Sequence, residues 1–244
     1  MNFLEGKTII IVPCYNEEKN ICKVIKELKE ELDNQNVEFL FINDNSSDNT
    51  EIILKETKIN FLSLPINMGY NYAVQTGLKF GLKKVYDNYI LMDADEQHLA
   101  SEIKKLITNF NNNIDIVIGS RFSSMFKSTY KIPFIRKSGM IFFSFLTSIF
   151  VRKKIKDTSS GFQIFNQKVA KALVYIYETK YPDAEVIILL KLLGFRIKEI
   201  PVRMKERKDG ESMISNFYYP IRALLGIILA TGRYFFLKKK VINV

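Results

Sequence analysis

Residues Asp93-Ala94-Asp95-Glu96-Gln97-His98 place two carboxylates one residue apart, directly after the apolar run Asn88-Tyr89-Ile90-Leu91-Met92. On an extended segment side chains at i and i+2 point the same way, so both carboxylates can meet one hard cation bound through oxygen. That is the chemistry for holding a metal-bound diphosphate. A lone Asp-x-Asp also occurs in solvated loops, so its neighbours decide its meaning. Two more apolar runs of the first half end in polar residues, as at a nucleotide site on the carboxyl edge of a parallel sheet. The run 8–12 leads into Pro13-Cys14-Tyr15-Asn16-Glu17-Glu18, and the run 37–42 into Asn43-Asp44-Asn45-Ser46-Ser47-Asp48-Asn49-Thr50.

The elements that must position these loops alternate. After the strand at 8–12, Asn16 or Asn20 is placed to cap a helix whose apolar residues Ile21, Val24, Ile25, Leu28 and Leu32 recur at helical spacing. A second strand spans 37–42, Asp48 opens a second helix, and 60–64 forms a third strand. A third helix covers 68–84 despite Gly77 and Gly81, a fourth strand 88–92, a helix about 99–111 and a fifth strand 115–118. Short strands alternating with helices predict an α/β fold, a parallel sheet covered on both faces.

With 244 residues, 47% of them hydrophobic, the chain can bury a full core and reads as one domain with an appendage. Its formal charge of +10 is uneven: residues 1–120 hold 12 basic and 18 acidic side chains, residues 121–244 hold 24 and 8. The basic half calls for an anionic partner. Its basic residues interleave with long apolar runs instead of forming a basic arm, which favours an anionic membrane surface and argues against nucleic acid. Cys14 and Cys22, the only cysteines, have neither a pairing pattern nor zinc-ligand spacing, and residues 1–6 are too short and polar for a signal peptide; both point to the cytoplasmic side.

Two apolar segments stand apart. Residues 139–151 are apolar between Arg136-Lys137 and Arg152-Lys153-Lys154, shorter than the roughly 20 residues of a spanning helix. Residues 223–231 lie between Arg222 and Arg233, ahead of Tyr234-Phe235-Phe236-Leu237 and Lys238-Lys239-Lys240. Arginines make spanning costly, whereas an in-plane helix with snorkelling cations is allowed. The expected organisation is a catalytic domain over 1–215 and a membrane-associating helix with a basic tail over 216–244, peripheral or monotopic.

Pro-x-Tyr-Asn-Glu at 13–17, Asp44-x-Ser46-x-Asp48-x-Thr50 and Asp93-Ala94-Asp95-x-Gln97-His98 together resemble family 2 glycosyltransferases, especially the dolichyl-phosphate mannose synthase type. The likeness continues through Gly119-Ser120-Arg121, Arg136 with Lys137, Asp157-Thr158-Ser159-Ser160-Gly161-Phe162, Glu199-Ile200-Pro201-Val202 and Arg207-Lys208-Asp209-Gly210-Glu211-Ser212, in the family's order over about 210 residues. It departs at Met213, where a basic residue is usual, and at Gln163, where Arg is common; both fall on the anion-binding side.

The resemblance implies a GT-A, Rossmann-like, mostly parallel sheet. It implies that Pro13, Tyr15, Glu17 and Asp44 hold base and ribose of a UDP- or GDP-sugar, and that Asp93, Asp95 and Gln97 hold Mg2+ or Mn2+ on its diphosphate. Arg121, Arg136 and Arg207 become phosphate clamps, since guanidinium forks match phosphate oxygens, and Ser212 joins the donor-binding set. Asp95, Arg121 and Asp157 form the catalytic group. Asp157, on a short acceptor loop, is a general base if the acceptor is a hydroxyl, and orients the acceptor or a second cation if it is an already ionised polyprenyl phosphate. Asp48 reads as a helix cap and the lone His98 as structural. The implied reaction is metal-dependent, inverting transfer to polyprenyl phosphate at the cytoplasmic membrane face, in an enzyme that could oligomerise. The rivals are transfer to a hydroxyl of a lipid-linked or surface polysaccharide, and an inactive nucleotide-sugar-binding or scaffold protein.

Overall fold

The computed structural model describes residues 5–32, 36–120, 157, 160–177, 184–205, 232–235 and 238. Chain order is β1 (Thr8–Cys14), α1 (Ile21–Leu32), β2 (Val37–Asn43), α2 (Thr50–Glu56), β3 (Phe61–Ser63), α3 (Tyr70–Lys83) and β4 (Asn88–Leu91). A 3-10 turn (Ala100–Glu102) then precedes α4 (Ile103–Asn109), β5 (Ile116–Ser120), β6 (Gln163–Asn166), α5 (Gln167–Ile176), α6 (Ala184–Leu192) and β7 (Ile197–Pro201). The first five strands fall where their apolar runs put them. The helix expected over about 99–111 divides into the 3-10 turn and the shorter α4. The last four elements, from β6 to β7, were not expected from periodicity.

Seven strands form one sheet in the order β3-β2-β1-β4-β6-β5-β7. β1 is parallel to β2 and β4, β2 to β3, and β5 to β7, whereas β6 runs antiparallel to both β4 and β5. Six strands therefore point one way and β6 alone is reversed, which fits the mostly parallel sheet expected.

Strands covered on both faces read as continuous apolar runs because alternate side chains enter different cores. Ile9 and Ile11 pack with Leu40, Ile42 and Leu91 under α3, α5 and α6. Ile10 and Val12 pack with Phe41, Ile90, Ile164 and Ile200 against α1, α2 and α4. The glycines inside α3 let it lie close on the sheet: a Cβ at Gly77 would come 2.4 Å from Ile11 Cγ2, and one at Gly81 2.5 Å from Tyr89 Cε1. Helix propensity yields to that close approach.

Among the described residues no helix is long and apolar enough to cross a membrane. Residues 139–151 lie outside the described set, as does most of 217–237.

Candidate active site

β1 has β2 on one flank and β4 on the other, because the crossover through α3 carries the chain from β3 back past β2 and β1. The gap between the carboxyl ends of β1 and β4 is thus a switch point, where open α/β sheets bind ligands. Pro13 closes β1 with Cys14, the loop after it holds Tyr15 to Glu17, and the loop after β4 holds Asp93 to His98. Reversal of β6 makes its first residue, Gln163, pair with Leu91 of β4 and Ile118 of β5, which delivers the loop ahead of it to the same edge. β7 also ends there, with Pro201 opposite Ser120.

On the β1 side the two loops are woven together by backbone and side-chain hydrogen bonds. Pro13 is buried and Tyr15 exposed. The Glu17 amide donates to Thr50 Oγ1 at 2.8 Å, and Glu17 Oε2 accepts from Asn20 Nδ2 at 2.7 Å. Asn16 adopts φ 55° and its Oδ1 accepts from the Ser47 amide at 2.8 Å. Asp48 lies ahead of α2 instead of opening it. Its carboxylate takes the Glu18 amide at 3.0 Å and both the amide and hydroxyl of Thr50, at 3.0 and 2.5 Å. Burial would raise the Asp48 pKa, but these donors hold it below the ordinary value.

Asp44 is 3% exposed and uses both oxygens on backbone, accepting from Met68 N at 2.8 Å and Gly69 N at 2.7 Å. Burial pushes its pKa up against those two donors. Asp44 thus fastens the segment before α3 to the mouth of the site.

On the β4 side, Tyr70, the first residue of α3, donates its hydroxyl to Asp93 Oδ1 at 2.9 Å. Burial and the neighbouring Asp93 charge raise the Tyr70 pKa well above its usual value, so the phenol stays a donor. The Asp93 amide donates to His98 Nδ1 at 2.9 Å. That bond assigns a neutral ring with its proton on Nε2, so the 3.7 Å approach of His98 Nδ1 to Asp93 Oδ2 is not an ion pair. His98 is 4% exposed and stacks on Phe162 with ring centroids 4.9 Å apart. Asp95 Oδ1 accepts the Gln97 amide at 3.1 Å and closes the turn. Asp93, Asp95 and Gln97 are all partly exposed.

Gly161 brings the loop before β6 onto Asp93. A Cβ there would sit 2.8 Å from the Tyr70 hydroxyl and 3.1 Å from each Asp93 oxygen, so only glycine leaves room. Asp157 is fully buried, and its amide donates to Glu199 Oε1 at 2.7 Å. Arg121, Arg136, Arg207 and Ser212 lie outside the described residues. Tyr70 and Gly161 escaped the sequence reading as members of the site. An aromatic opening a helix looks like core, but Gly69-Tyr70 at the start of the helix that follows β3 was a usable sign.

The chain belongs to glycosyl transferase family 2, whose model matches residues 9–174, from β1 into α5. It is a glycosyltransferase. A UDP-N-acetylglucosamine–dolichyl-phosphate N-acetylglucosaminyltransferase of Methanococcus voltae is 29% identical over 215 residues, 80% of this chain and 84% of the relative. A dolichyl-phosphate β-glucosyltransferase of Trichomonas vaginalis is 30% identical over 226 residues, 84% of this chain and 68% of that one. These relatives bear out the resemblance to polyprenyl-phosphate sugar transferases. The fold is shared with a Mycobacterium tuberculosis glucosyl-3-phosphoglycerate synthase solved with Mn2+, UDP and glucosyl-3-phosphoglycerate, at TM-score 0.67 and 16% identity, covering 93% of this chain and 81% of that one.

Proposed function

We propose that the enzyme transfers a sugar from a UDP- or GDP-sugar to a polyprenyl phosphate, with inversion, at the cytoplasmic membrane face. The observation that carries this reading is the convergence of three elements at one carboxylate at the switch point: Asp93, after β4, accepts from Tyr70 of α3, and the loop before β6 approaches so closely that only glycine fits at position 161. The relatives named for dolichyl phosphate support the acceptor class.

Among the described residues no group of three or more His, Cys, Asp and Glu could hold a metal ion. Asp93, Asp95 and Gln97 instead offer partly exposed oxygen donors, with the His98 Nδ1 committed to backbone, a set suited to a hard cation. Those three residues would hold Mg2+ or Mn2+, which when bound offsets charge growing on the leaving diphosphate. Pro13, Tyr15 and Glu17 line the base and ribose, Asp44 shapes that side through Met68 and Gly69, and Arg121, Arg136, Arg207 and Ser212 meet the phosphates.

The acceptor oxygen attacks the anomeric carbon in line, opposite the diphosphate, which departs with the bonding electron pair; that path inverts the centre. An ionised phosphate acceptor has no proton to lose. The burial of Asp157 favours this reading over the hydroxyl alternative, since a base must reach the proton it abstracts. Asp157 then orients the acceptor through its loop. Residues 216–244, with 139–151, seat the catalytic domain 1–215 on the anionic surface, apolar faces among acyl chains and lysines among headgroups.

The test is a panel of radiolabelled donors offered to purified protein with a short polyprenyl phosphate, read by organic extraction. One donor should give an extractable product that excess chelator abolishes. Label entering only hydroxyl acceptors would overturn the acceptor class, and full turnover in chelator would overturn the metal.

A further inference from the structure

Three residues at four-residue spacing on α1, Lys23, Glu27 and Glu31, each form an ion pair with a different element. Such spacing puts them on one face of the helix. Lys23 pairs with Glu96 inside the loop after β4, Glu27 with Lys205 beyond β7 at 3.1 Å, and Glu31 with Lys104 of α4 at 2.8 Å. The first two reach the loop that carries Asp93, Asp95 and Gln97. Glu96 sits between Asp95 and Gln97 with φ 59°, a left-handed conformation unfavourable for a residue with a side chain. Lys205 donates its amide to the Gln97 carbonyl at 2.9 Å, and Met204 bridges to His98. The loop is therefore gripped at Glu96 by Lys23, and at Gln97 and His98 by a segment that Glu27 anchors.

We propose that Lys23 and Glu27 are positioning residues for the cation-binding loop, α1 acting as a bracket that fixes the backbone on both sides of Gln97; this rests on the metal reading above. Neither side chain needs to touch substrate. Lys23 acts through Glu96, holding the strained turn that sets where Asp95 and Gln97 point, and Glu27 acts through Lys205. Because α1 is the element that follows the Pro13–Glu17 motif, starting at Ile21, the bracket also ties the cation loop to the nucleotide side of the mouth. Glu31, on the same face but paired to α4, has no contact with the loop and provides an internal control.

The experiment uses the full-length protein and the variants K23M, E27Q, K23M/E27Q and E31Q. Amide hydrogen exchange over 94–98 is followed without metal, and Mn2+ binding in the presence of UDP and, separately, of GDP by electron paramagnetic resonance. K23M and E27Q should each speed exchange in that loop and weaken Mn2+ binding about fivefold, the double variant more, with kcat at saturating Mn2+ nearly kept. E31Q should match wild type in both measurements. E96G, which relieves the strained backbone while deleting the pair, should lose less Mn2+ affinity than E96A. Wild-type exchange and Mn2+ binding in K23M and E27Q would overturn the bracket, as would equal loss in E31Q. A wild-type protein that binds no Mn2+ with either UDP or GDP would instead overturn the metal reading, while faster loop exchange in K23M would still stand for the bracket.

Discussion

Asp44 and Asp93 both follow a parallel strand and both belong to motifs of the same family, yet their surroundings differ. Asp44 is 3% exposed and its two oxygens hold the Met68 and Gly69 amides. The Asp93 side chain keeps 29% of its surface open and takes a phenol hydroxyl on one oxygen. A carboxylate saturated by backbone donors is a fastening; one held by a side chain at an open switch point is available to a ligand. Motif membership alone does not separate the two.

The contrast breaks if the two carboxylates answer alike to the same change. D93N should lower transfer by about a thousandfold or more while leaving the melting temperature within a few degrees, read by initial rates and thermal unfolding side by side. G161A should cost about tenfold to a hundredfold in kcat with little loss of stability, because the added methyl meets the Tyr70 hydroxyl and the Asp93 oxygens. D44N should act mainly on stability, by about 1–3 kcal/mol, since an amide nitrogen would face a backbone donor inside a buried site. Equal losses of activity at full stability from D44N and D93N would show that Asp44 meets substrate directly.

The smallest effect sharpens the comparison from the far edge of the sheet. Asp115, just before β5, is bound by Arg196 at 2.9 Å, and that pairing holds its carboxyl below the usual value against the opposing effect of burial. A depressed folded-state pKa contributes stability that is complete above the unfolded value, about 3.9, and is lost as pH falls through the folded one. D115N should therefore melt about 2–4 °C below wild type near pH 7, with the gap closing below about pH 4 and transfer unchanged.

Much of the first half was legible because β1, β2 and β4 are buried on both faces and each ends abruptly in polar residues. The second half hid its elements for physical reasons. α6, Ala-Glu-Val-Ile-Ile-Leu-Leu-Lys-Leu, packs residues 186–190 wholly inside the core, so no 3.6-residue stripe marks it. β6 has four residues with Gln163 and Asn166 at its ends, too short and mixed for a period-2 signal. In the candidate site the loops were readable as motifs, whereas the Tyr70–Asp93 bond depends on how α3 packs and the approach of Gly161 to Asp93 on the reversal of β6, neither of which a local pattern encodes.

That reversal carries a further consequence for the sheet. β5 ends and β6 begins at the same edge of the sheet, so the chain between Ser120 and Gln163 departs from and returns to the mouth of the site. The pairing of β1 with β2 and β4, on which the Pro13–Glu17 and Asp93–His98 motifs stand, therefore stays the same whatever the length of chain between β5 and β6.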